Sequence, residues 1–141
     1  MAALDHVGLT VTNLDASLRF YREVVGMTVE ATFELQNGGF ARLTRNPPAA
    51  IKGAYVRAGG FKLQLLEYTA GGGAPQHIHH NNAGSPHMSF AVEDVEAKFR
   101  EVQSMPWAKI ISDIEEVVPR FRSFYVEDPD GVPVEFFQMM R

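Results

Sequence analysis

The sequence predicts an α+β fold built from two copies of one βαβββ module, and three observations predict it. "DHVGLTV" at 5–11 and "PHMSFAV" at 86–92 each place one histidine at the head of a run that alternates small or polar residues with apolar ones. Each run is followed by a segment with apolar residues at helical spacing and then by three strand-like runs. Between the copies, "TAGGGAPQHIHHNNAGSP" at 69–86 is rich in Gly, Pro and Asn and has no hydrophobic periodicity, as a linker or mobile loop does. An internal repeat of this kind fixes the organisation: one domain over 1–141, with a first module at 1–68, a linker at 69–86 and a second module at 87–141.

In the first module a strand over 4–11 puts His6, Gly8 and Thr10 on one face and Val7, Leu9 and Val11 on the other. The segment "TNLDASLRFYREVVGM" at 12–27 follows as a helix, capped by Asn13, with Leu14, Leu18, Tyr21 and Val25 as its apolar stripe and Gly26 closing it. Strands are expected at 28–35, 51–56 and 61–68, with "RAGG" turning between the last two, and 36–50 reads as an inserted loop. The second module repeats this order. A strand over 87–92 leads into the helix "EDVEAKFREVQS" at 93–104, whose stripe is Val95, Phe99 and Val102. Strands at 109–112, 121–127 and 133–138 complete it, and "EDPDG" at 127–131 turns where "RAGG" turned before.

Composition limits the function. A chain of 141 residues with formal net charge −4 and no basic run is a poor partner for nucleic acid or an anionic membrane, so a small-molecule substrate is expected. The absence of cysteine excludes disulfides and thiolate chemistry. No basic stretch leads into a long apolar run, and nowhere do about 18 apolar residues follow one another, so a soluble cytoplasmic protein is expected.

The paired βαβββ order, "LDHVGLTVTNLDASLRFYREVVGM" at 4–27 and "FYVEDPDGVPVEFF" at 124–137 resemble the vicinal oxygen chelate superfamily, also called the glyoxalase/bleomycin resistance/extradiol dioxygenase superfamily. The resemblance covers nearly the whole chain and is weakest at 36–50 and in the linker. It implies that each module curls four strands into half of a U-shaped, eight-stranded mixed sheet around a cleft, the glyoxalase-like fold, and that a divalent metal lies in the cleft.

The same resemblance implies the ligands. Aligning "LQLLE" at 63–67 with "VEFFQ" at 134–138 matches Gln64 to Glu135 and Glu67 to Gln138, so the family's oxygen-ligand position in the first module is Gln64 and not Glu67. Strand alternation agrees, since Gln64, Leu66 and Tyr68 share a face that excludes Glu67. The implied metal set is His6, Gln64, His87 and Glu135. Two imidazoles, a carboxylate and an amide oxygen suit a borderline first-row dication (nickel, zinc, cobalt, manganese or iron), and the superfamily's octahedral site leaves two positions for vicinal oxygens. With one carboxylate the ion keeps roughly one positive charge to polarise a carbonyl or stabilise an enediolate. Glu135 is then the catalytic base as well as a ligand. Leu66, Tyr68, Phe137 and Met139 give the cleft a partly apolar lining.

Two isomer-forming families share this ligand pattern. Glyoxalase I has a glutamate where Gln64 stands; methylmalonyl-CoA epimerase has a glutamine there but also a glutamate base just before the third strand of its first module, where "NPPAAIKGAY" has no carboxylate at 46–50. The resemblance therefore implies a metal-dependent lyase or isomerase of the glyoxalase/epimerase type, acting through a metal-bound enediolate on a small carbonyl substrate. The rival is an extradiol-type non-haem iron dioxygenase: His6, His87 and Glu135 make a two-histidine, one-carboxylate triad, and Tyr125, ten residues before Glu135, matches that family's catalytic tyrosine as an acid or hydrogen-bond donor. A third class, a drug-sequestering binding protein, would use the same cleft without chemistry. "QHIHH" at 76–80, with His77, His79 and His80, reads as a solvated loop whose functional alternative is a lid. "GGG" at 71–73 opens no helix, lacks a P-loop lysine and reads as a hinge. Exposed module edges predict a homodimer, with the modules pairing either within one chain or by exchange between chains.

Overall fold

The computed structural model describes residues 1–141 and consists of two compact units, Met1–Pro75 and Gln76–Arg141. In unit 1, β1 (Val7–Thr10) leads into α1 (Leu14–Phe20), which runs on into a π-helical turn over Tyr21–Val25. Three antiparallel-linked strands follow: β2 (Thr28–Gln36), β3 (Ala50–Ala58) and β4 (Phe61–Ala70), with α2 (Gly38–Thr44) between the first two. The sheet order is β1-β4-β3-β2, with β1 parallel to β4. Asn13 caps α1 by accepting from the Ala16 N–H at 2.9 Å, and Gly26, at φ 89°, ends the helical segment in the left-handed conformation that glycine adopts without a Cβ clash.

Unit 2 repeats the plan. β5 (Met88–Ala91) leads into α3 (Val95–Gln103), capped by Asp94 accepting from the Ala97 N–H at 2.8 Å, and then into β6 (Lys109–Ile110), β7 (Glu115–Val118), β8 (Phe121–Glu127) and β9 (Pro133–Met139). The order is β5-β9-β8-β6, with β7 also on β8 and β5 parallel to β9. In the turn before β9, Asp128 Oδ1 accepts from the Asp130 and Val132 N–H groups at 2.9 and 2.8 Å, as an aspartate at the head of "DPDG" is suited to do.

Each sheet buries one face against its helix. Leu63, Leu65, Ala54 and Val56 are fully buried on that face in unit 1, as are Phe124, Val126 and Val134 in unit 2. The Phe99 ring of α3 meets Phe124 edge-on at 5.0 Å. Truncating a buried phenylalanine such as Phe124 costs about 3–5 kcal/mol through lost burial and the cavity left behind. Because side chains alternate along a strand, the intervening residues are committed to the opposite face. These include Tyr55 and Gln64 in unit 1 and Tyr125 and Glu135 in unit 2.

Three local expectations are corrected. The segment 36–50 is no plain loop: it contains α2, capped by Asn37 accepting from the Phe40 N–H at 2.8 Å, and Phe40 lies beside Tyr68 with ring centroids 6.2 Å apart. The buried stripe of the first helical segment is Leu14, Ser17, Phe20, Tyr21 and Val24, while Leu18 and Val25 sit at its margin. A serine holds the middle of that stripe, so apolar spacing alone centres it wrongly. The strands number nine rather than eight because the edge position on β8 is split: β6 pairs at Lys109 and Ile110, β7 at Glu115 to Val118, and between them Ser112 Oγ accepts from the Tyr125 N–H at 2.8 Å in place of a backbone carbonyl. No helix is long and apolar enough to cross a membrane.

Candidate functional site

In unit 1 the parallel pairing of β1 with β4 sets Gly8 beside Gln64, and the antiparallel pairing of β3 with β4 sets Tyr55 directly opposite Gln64. The Gln64 amide donates from Nε2 to the Tyr55 hydroxyl at 2.7 Å, which fixes the amide with its carbonyl oxygen toward Gly8. A Cβ on Gly8 would lie 3.3 Å from that oxygen, so glycine keeps the approach open. His6, just ahead of β1, meets the Tyr55 ring edge-on at 5.5 Å. Its Nδ1 is paired with Asp5 Oδ2 at 2.8 Å, and Asp5 is held in turn by Lys62 Nζ at 2.9 Å. The His6 hydrogen bond, followed by that of Lys62, holds the Asp5 carboxyl below the ordinary carboxylate range. Engagement of Nδ1 leaves Nε2 as the ring atom able to bind an ion, the pattern in which a carboxylate orients a metal-ligating histidine.

Unit 2 has the same arrangement with different chemistry. Ser89 takes the place of Gly8 beside Glu135, and Tyr125 takes the place of Tyr55 opposite it. Ser89 Oγ donates to Glu135 Oε2 at 2.5 Å, and Tyr125 lies directly across the ladder from Glu135. Burial, then the charge of the neighbouring Glu135, raises the Tyr125 phenol above its ordinary value, so it keeps its proton. Glu135 is only 8% exposed, and the Ser89 hydroxyl is its hydrogen-bond partner. The His87 ring lies 6.4 Å from that of Tyr125.

The residues matched in the repeat but off the site face have another task. Glu67 Oε2 accepts from the Leu14 N–H at 2.6 Å and Gln138 Oε1 from the Val95 N–H at 3.1 Å, each at the N-terminus of its own unit's helix. Glu67 also pairs with Lys52 at 3.5 Å.

Each unit thus gathers, around one tyrosine, a histidine and one oxygen donor from the four expected ligands, and no group of three His, Cys, Asp or Glu side chains that could hold an ion forms. Two imidazoles, one amide oxygen and one carboxylate fit a borderline dication in type, and the orientation of His6, Gln64 and Glu135 by neighbouring hydrogen bonds fits ligands held ready. Tyr55 and Ser89 were not singled out by the sequence. A signal for Tyr55 was present: a tyrosine stands nine residues before Gln64 as Tyr125 stands ten before Glu135.

A family model described as the Glyoxalase/Bleomycin resistance protein/Dioxygenase superfamily matches residues 3–136. The uncharacterized protein YwbC of Bacillus subtilis (strain 168) is 28% identical over 142 residues, covering 96% of each chain. The 2-epi-5-epi-valiolone epimerase of Actinomyces sp is 26% identical over 145 residues, covering 97% of this chain and 79% of that protein. The crystal structure of a glyoxalase family protein from Bacillus cereus superposes with a TM-score of 0.87 at 17% identity, over 100% of this chain and 96% of that one, a likeness of fold. The chain belongs to the Glyoxalase/Bleomycin resistance protein/Dioxygenase superfamily.

Proposed function

We propose that the protein is a metal-dependent lyase or isomerase that moves a proton on carbon next to the carbonyl of a small substrate, with His6, Gln64, His87 and Glu135 as the ligands of one divalent ion. The observation that carries this reading is the repeated triplet of histidine, tyrosine and oxygen donor, which has a carboxylate in one unit only. When bound, the ion supplies Lewis-acid stabilisation of negative charge on the substrate's oxygens. Glu135 takes the proton from carbon and returns it. Ser89 orients its carboxylate, and the Tyr125 O–H can donate a hydrogen bond to a developing oxyanion nearby. Gln64 has no acid–base capacity and is a ligand only, so proton transfer runs from the unit 2 side. The 2-epi-5-epi-valiolone epimerase relative supports an isomerase over a ring-cleaving enzyme.

The test is substrate-tolerant. Protein purified without a tag is loaded in turn with nickel, zinc, cobalt, manganese or iron(II) and incubated in D2O with a panel of α-hydroxy ketones, 2-oxoaldehyde–thiol adducts and acyl thioesters, and NMR is used to detect deuterium entering next to the carbonyl. Exchange or isomerisation dependent on metal and on Glu135 supports the reading. Oxygen consumption with catechols, by the iron form only, would replace it with the dioxygenase reading.

A further inference from the structure

The two site histidines are held differently. His6 is fixed by Asp5, itself anchored on Lys62, and by the Tyr55 ring at 5.5 Å. The registers of β1 on β4 and β5 on β9 match Asp5 to Pro86 and Lys62 to Pro133, so His87 has no polar neighbour at either position. Tyr125 is also farther from His87, at 6.4 Å. Into that wider gap comes a residue with no counterpart in unit 1: the His80 ring stands edge-on to Tyr125 at 4.7 Å and 88°, and 5.2 Å from the His87 ring at 56°.

His80 arrives there on a loop that is folded on itself. The Asn82 N–H donates to the His79 carbonyl at 2.9 Å, the Ser85 N–H to the Asn82 carbonyl at 3.0 Å, and the His79 N–H to Ser85 Oγ at 3.4 Å. The His79 ring turns to Asn81, with Nδ1 2.5 Å from Oδ1, and Gly84 at φ 88° reverses the chain. Of the three linker histidines, His80 is the one whose ring meets the site.

We propose that His80 is a positioning residue: its ring packs between His87 and Tyr125 and holds both, performing for unit 2 the task that Asp5 and Tyr55 perform for His6. The proposal rests on the reading of His87 as a ligand and Tyr125 as a hydrogen-bond donor beside Glu135. Edge-to-face ring packing restricts both neighbours to the rotamers that keep the ligand nitrogen and the phenol in place. It makes the linker part of the site.

The test uses the full chain and two variants, His80→Ala and His80→Phe, with two readouts. In metal-free protein, NMR should show ring-to-ring contacts from His80 to Tyr125 and His87 and restrained amides across 77–85; alanine should lose the contacts and loosen the loop, and phenylalanine should restore both. By chelator competition, alanine should weaken zinc or cobalt binding about 10–100-fold, the usual cost of losing a group that orients a ligand, and phenylalanine should bring it back close to the parent value. An unchanged alanine variant, or a parent protein without the ring contacts, would overturn the proposal. So would a phenylalanine variant that restores the contacts but not the affinity, since the imidazole nitrogen would then be needed as a direct ligand. A parent protein that shows the contacts but binds no metal would refute the metal reading, and the positioning role would stand or fall on the NMR comparison alone.

Discussion

Tyr125 stands directly across the β8–β9 ladder from Glu135, just as Tyr55 stands across β3 and β4 from Gln64, whose amide donates to the Tyr55 hydroxyl. One strand position therefore sets a tyrosine beside an oxygen donor in both units. What differs is whether the donor carries charge.

Burial of Tyr125, and then that charge, gives a pH dependence. Because the Tyr125 phenol is raised above its ordinary value of 10.0 in the folded protein, the folded state retains this proton at pH values where the unfolded chain has released it. The contribution is fully present below about pH 10 and is lost as pH rises through the folded value. Metal-free protein should thus lose stability above about pH 10 more steeply than Tyr125→Phe, measured by urea midpoints at rising pH; parallel curves would contradict it.

Glu67 and Gln138 predict a second outcome. Both hold the first N–H of a helix, one with a carboxylate and one with an amide, so Glu67→Gln should be close to neutral in thermal stability and leave metal content untouched. Glu67→Ala should cost about 1–3 kcal/mol by leaving the Leu14 N–H unpaired. Loss of metal in Glu67→Gln would mean that Glu67, not Gln64, is the ligand.

That Gln64 and Glu67 lie on opposite faces of β4 was readable from the sequence because alternation along a strand and the internal repeat give the same placement, and Glu67 is occupied by the Leu14 N–H. The paired elements were readable for the same reason: Asn13 and Asp94 cap, and Gly26 closes, through local chemistry. A repeat traced only through its histidine and oxygen-donor positions passes over Tyr55 on β3 and Ser89 on β5. Helix α2 has only seven residues and Ala41 as its one buried side chain, too little for a periodic signal. The interruption between β6 and β7 depends on Ser112 replacing a backbone acceptor, and the seat of His80 depends on tertiary ring contacts. Neither leaves a pattern along the chain.

Glu135→Gln should separate catalysis from binding. Glutamine keeps an oxygen donor of the same reach, as Gln64 has in unit 1, so the metal should stay. The base is gone, and proton exchange on the identified substrate should fall on the order of 10²–10⁴-fold. Full metal with near-full exchange would remove Glu135 as the base.

An edge strand left open invites a partner. β7 lies on the rim of the unit 2 sheet with Val117 and Val118 exposed by 68% and 55%, and Met139 at the end of β9 is 61% exposed. Apolar edges of this kind are usually covered. Sedimentation at micromolar concentration should give twice the chain mass; a monomer would contradict the expected homodimer.

The central claim, that each unit gives a histidine and an oxygen donor to one ion, is tested most directly by counting metal. Elemental analysis of tag-free protein after loading and exhaustive desalting should give one divalent ion per chain for the parent and for Glu67→Gln, and none for His6→Ala or for His87→Ala. A parent protein without stoichiometric metal, or either histidine variant that keeps its full complement, would contradict the account.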